Sequence, residues 1–94
     1  MANIEIQSTK EENNGWSYQV KLNEGGSSYQ YNVTLSRSDY EKWSNGQIQP
    51  EQVIQAAFDF LRDREPPSAI LSQFDCSVIR RYFPEVDKEL PKKL

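Results

Sequence analysis

Ninety-four residues with a net charge of −3 and a hydrophobic share of 36% fit one small domain, and they exclude both a disordered acidic chain and a basic stripe for phosphate backbones. The sequence has no histidine and one cysteine, Cys76. That excludes an internal disulfide, a Ser-His-Asp or Cys-His arrangement, and a zinc site built on imidazoles.

The N-terminal stretch MANIEIQSTK has no cationic segment leading into an apolar run, so it does not read as a signal peptide. No apolar run approaches the roughly 18–20 residues that span a bilayer. The expectation is a soluble cytoplasmic protein with no membrane partner.

The first third alternates. Ile4 and Ile6 share one face; so do Trp16, Tyr18, Val20 and Leu22, and then Tyr29, Tyr31, Val33 and Leu35. A period of two is the mark of a strand, and aromatic and β-branched side chains suit a pleated surface. The links KEENNG and NEGGSS are short and rich in turn formers, which predicts hairpins. The polar face carries Ser17, Gln19, Lys21, Gln30, Asn32 and Thr34 and reads as a solvated sheet surface.

The period then changes. In SRSDYEKWSNG, Ser38 is placed to cap a short helix with Glu41 three residues on, and Asn45-Gly46 stops it. PEQVIQAAFDFLRDRE opens with a proline at the first helical position. Val53, Ile54, Ala57, Phe58 and Leu61 recur at helical spacing and predict a stripe that covers the sheet. Pro66-Pro67 ends that helix. Ile70, Leu71 and Phe74 predict a short amphipathic helix. Val78, Ile79, Tyr82 and Phe83 predict another, with Arg80 and Arg81 outside it and Pro84 at its end. The charged segment 84–94 reads either as a frayed tail or as a last short helix.

The fold class expected is therefore α+β in a single domain, residues 1–94. A three-stranded antiparallel β-meander (about 3–9, 16–22, 28–36) is packed by a C-terminal helix (about 50–64) and short helices (about 38–44, 67–74, 76–83).

Chemistry-bearing constellations are few. Cys76 follows Asp75 near a helix start, but a neighbouring carboxylate opposes a reactive thiolate, and an inert buried cysteine is the simpler reading. Asp59 and Asp63 lie one helical turn apart and read as a solvated face. No phosphate-binding glycine loop is present. The expectation is a protein without catalytic residues, cofactor or metal, and not an enzyme.

Partner binding is then the leading reading. Tyr40 and Trp43 are not committed to the core by any alternating pattern, and an exposed tryptophan is a common interface anchor. Arg64, Arg80 and Arg81 are the basic residues that packing explains least. The runner-up is a nucleic-acid-associated regulator using these arginines, disfavoured by Asp75, Glu85 and Asp87 close by in sequence. A three-stranded sheet leaves two open edges, which allows a homodimer.

Residues 60–85, FLRDREPPSAILSQFDCSVIRRYFPE, resemble the C-terminal signature of a group of short uncharacterised bacterial proteins. Those proteins also begin with a β-rich half and carry a helix ending in F-L-x-x-R-E-P, here Phe60 to Pro66. The resemblance covers the last third by motif and the rest by pattern only, and it implies no activity. It does imply a packing role for the motif, with Cys76 standing where such proteins have a leucine.

Overall fold

The computed structural model describes residues 3–94. Three ten-residue strands, β1 (Asn3–Glu12), β2 (Gly15–Glu24) and β3 (Ser27–Ser36), form an antiparallel meander. The strands outrun their expected lengths because both links shrink to two-residue turns. At the second turn Gly25 and Gly26 take φ of 59° and 82°, the left-handed conformation that glycine adopts without a steric penalty and that matches strand twist in tight hairpins. Gly15 is needed for a different reason. A Cβ there would lie 2.0 Å from the carbonyl oxygen of Leu35, so only glycine allows β2 and β3 to meet at this end.

Alternation places the core as the sequence predicts. Tyr18, Val20, Leu22, Tyr31, Val33 and Leu35 are all buried, while Trp16 and Tyr29 are half-buried at its margin. Across this face lies α2 (Pro50–Arg62), whose buried side chains include the whole expected stripe plus Ala56 and Phe60. Phe58 is fully buried at the centre. Its ring stands 5.1 Å from Tyr31 and 6.1 Å from Phe74. The shorter α1 (Arg37–Ser44) starts one residue after β3. Its cap is Ser36, whose hydroxyl accepts from the Asp39 N–H, and not Ser38 as expected. Asn45, at φ 58°, ends it.

The C-terminal third departs most from expectation. The α+β class holds, but the sheet is mixed and has a fourth strand. The expected helix over 67–74 is a single 3-10 turn, Pro67–Ala69, followed by extended chain. There β4 (Gln73–Asp75) pairs in parallel with β3, Phe74 opposite Val33. The spacing of Ile70, Leu71 and Phe74 suits a helix, but the free edge of β3 takes up the backbone groups of 72–75 instead. Asn32 donates its N–H to the Ser72 carbonyl at 2.8 Å. The expected helix over 76–83 is also interrupted: a 3-10 turn, Cys76–Val78, leads into α3 (Ile79–Tyr82). Of the two readings of the tail, the structure shows the helical one. Here α4 (Val86–Glu89) and a closing 3-10 turn (Leu90–Lys93) sink Val86 and Leu90 fully into the core. Among the described residues no helix is long and apolar enough to cross a membrane.

Candidate interaction surface

Two 3-10 turns, Pro67–Ala69 and Cys76–Val78, flank a groove between the end of α2, β4 and α3. After Pro66 the chain is pinned by Tyr31, whose hydroxyl donates to the Pro67 carbonyl at 2.8 Å. It then runs outward through Leu71 before entering β4. Asp75 closes the next turn: its carboxylate accepts from the Ser77 N–H and from the Thr34 hydroxyl. Burial pushes the Asp75 carboxyl up, but these hydrogen bonds prevail and leave it below its ordinary value.

The groove has a volume of about 170 Å³. Buried Leu61, Ile70, Phe74 and Ile79 make its floor. Leu71, 50% exposed, and Tyr82, 65% exposed, stand on its rim. Glu65 is its one charged lining residue. Their spacing in the sequence predicts that Leu71 and Tyr82 both lie on the inner faces of short helices. The structure corrects this: the segment around Leu71 is not helical, and α3 is a single turn that directs Ile79 inward and leaves Tyr82 in solvent.

The residues expected to meet a partner lie elsewhere. Trp43 is 3% exposed; its indole N–H donates to Asp87 Oδ1 at 2.9 Å. Tyr40 is half-buried, edge-on to Trp16 at 5.1 Å between ring centres, and its hydroxyl donates to the Ile48 carbonyl. Arg80 grips Asp87 with two bonds, at 2.7 and 2.8 Å, reaches Asp39 Oδ1 at 3.0 Å, and lies 5.6 Å from the Trp43 ring. This clasp ties α1, α3 and α4 together. The Arg80 hydrogen bond holds the Asp87 carboxyl down to about 2, with help from Trp43. Asp39, the clasp's other carboxylate, is buried, and the bond from Arg80 compensates its desolvation.

Arg64 lies over the Phe60 ring, 3.7 Å from its centre, and pairs with Glu85 at 3.2 Å. Of the three arginines only Arg81 is exposed without an ion-pair partner among the described residues. The five expected residues therefore do not converge: the structure gathers Trp43 and Arg80 around Asp87, and leaves Tyr40, Arg64 and Arg81 apart. The sequence held one signal for the groove, two prolines with the large apolar pair Ile70-Leu71 three residues on, but not which of those residues would face outward.

Cys76 is fully buried. Burial, then the charges of Asp75 and Asp39, push its thiol well above the ordinary range, so it stays protonated and unreactive in the folded state. Among the described residues no three acidic or cysteine side chains gather closely enough to share a metal ion. No family model matches the chain, and no curated protein or solved structure proved significantly similar to it.

Proposed function

We propose that the chain is a small non-enzymatic protein–protein interaction module. Its groove receives an amphipathic segment of a partner protein that offers apolar side chains and one basic residue. The observation that carries this reading is the pairing of an apolar floor with two large exposed side chains, Leu71 and Tyr82, on one rim. Scattered exposed hydrophobics are ordinary; exposed hydrophobics bordering an apolar groove mark a docking site. At about 170 Å³ the groove falls short of the roughly 300–1,000 Å³ of a small-molecule site, but it suits single anchoring side chains. Glu65 favours a basic residue on the incoming segment. Arg81, beside Tyr82 and without a carboxylate partner among the described residues, supports the nucleic-acid reading less strongly, because Arg64 and Arg80 already hold carboxylates that a phosphate would have to displace.

The test is a comparison of wild type with the double variant Leu71→Ala, Tyr82→Ala as affinity baits in nuclease-treated lysate. A stoichiometric protein lost with the variant supports the groove. A partner retained at full strength by the variant places the interface elsewhere. Recovery that depends on nucleic acid and weakens steeply with salt transfers the function to Arg81 and its neighbours.

A further inference from the structure

The other end of the sheet carries a separate feature. β1 is the edge strand opposite β4, ten residues long, and no strand covers its outer side among the described residues. Its register against β2 shifts once: Ile6 faces Val20, Ser8 faces Gln19, and Gln7 is extra. A bulge of this kind reverses which residues point to which face. Before it, Ile4 and Ile6 share the core side with Leu22 and Val20. After it, Thr9 and Glu11 do, opposite Tyr18 and Trp16. Glu5 and Lys10 lie together on the polar side, opposite Lys21 and Ser17.

The hydrogen-bonding directions follow from the tight turn at Gly25-Gly26. Glu24 and Ser27 flank it as a bonded pair, so alternation assigns Trp16, Tyr18, Val20, Leu22 and Glu24 to β3. The intervening residues of β2 bond to Asn3, Glu5, Lys10 and Glu12 of β1. What remains for the open side is the backbone of Ile4, Ile6, Thr9 and Glu11. The Ile4 carbonyl fits this assignment: it accepts from the Gln55 side chain at 3.2 Å, and it keeps a second lone pair.

We infer that β1 pairs antiparallel with β1 of a second copy of this chain, about a two-fold axis between Gln7 and Ser8, giving one continuous eight-stranded sheet. In this register Ile4 meets Glu11 of the second copy and Ile6 meets Thr9, and each of these open-side residues finds an open-side partner. Every pair also shares a face, because the two bulges cancel about the axis. Glu5 then stands against Lys10 of the second copy, twice, at the closer non-hydrogen-bonded positions where cross-strand charges interact best. Sliding by two residues places Glu5 against Ser8 or against Glu12, losing the complementarity. Sliding by one opposes core and polar faces. The half-buried Ile4 and Ile6 gain cover from the incoming strand. The pairing leaves the groove at β4 open, so it stands or falls apart from the proposed function.

Sedimentation equilibrium of the full chain tests it through charge exchange. The wild type is expected to form a reversible dimer. Glu5→Lys and Lys10→Glu each set like charges opposite each other twice, and each is expected to raise the dimer dissociation constant by about tenfold or more. An equimolar mixture of the two single variants, or the double variant alone, is expected to restore dimerisation. Thr9→Pro removes an open-side N–H that β2 does not use and is expected to give a folded monomer by circular dichroism. A wild type that stays monomeric at every concentration overturns the proposal and makes the bulge and Lys10 a guard on the edge. A dimer indifferent to the charge exchanges, or single variants that fail to rescue each other, overturns it equally.

Discussion

The meander and the C-terminal third are of similar size but are held together by different means. The meander is a product of neighbours: each strand pairs with the next across a two-residue turn, and one alternating pattern sets both register and burial. The C-terminal third has almost no regular structure of its own. Its strand is three residues long and pairs with β3 some forty positions away in sequence; its α3 and α4 are single turns. What holds it are a few apolar plugs and polar clasps, each joining distant segments. A segment with local order tolerates the loss of one contact, whereas a segment ordered by clasps loses its path when a clasp fails.

The severest break should come where the two regions meet. Phe58 lies between Tyr31 of the meander and Phe74 of β4. Phe58→Ala should cost about 3–5 kcal/mol in denaturant unfolding; a loss below about 1 kcal/mol would mean that the two regions do not share a core.

Asp87→Asn should come next, because it weakens the grip of Arg80 and leaves Asp39 to balance the guanidinium. With both side chains about a third exposed, the expected loss is about 1–3 kcal/mol, with amide exchange rising first around α1, α3 and α4. Equal loosening of the meander strands would contradict the comparison. The same pair sets an acid limb. The Asp87 carboxyl titrates at about 2 in the folded chain, below its unfolded value of about 3.9. Its stabilisation is therefore complete above that unfolded value and is lost as pH falls through about 2. Denaturant midpoints measured from pH 5 downward should fall more steeply for wild type than for Asp87→Asn.

The smallest effect belongs to the cap that sets β4. Asp75→Ala frees the Ser77 N–H and the Thr34 hydroxyl and should cost about 0.5–2 kcal/mol, confined to the C-terminal third. A stability unchanged within error would show that β4 is placed by Phe74 alone.

This division also explains how far the sequence could be read. Alternation from Trp16 to Leu22 and from Tyr29 to Leu35 is a local signal, and the stripe on α2 is another; both regions fold as their periods predict. β4 has no local signal. Gln73-Phe74-Asp75 becomes a strand because β3 offers an open edge beside it, and the helical spacing of Ile70, Leu71 and Phe74 points the other way. Trp43 is a similar case. Nothing near it in sequence announces Asp87, forty-four positions on, whose carboxylate satisfies the indole and lets the ring be buried. Arg80 and Arg81 are adjacent and identical in type, yet one is consumed in the clasp and the other faces solvent. Only the direction of a one-turn helix separates them.

The sealed position of Cys76 gives the chain a reporter of its own motions. A thiol-modifying reagent in bulk water reaches that sulfur only when the segment carrying it lifts away, and no other residue of the chain competes for the reagent. The rate of labelling under native conditions therefore counts openings of the C-terminal third. Set beside the rate of global unfolding, it separates a molecule that comes apart in one step from one whose clasped third detaches while the meander stays paired.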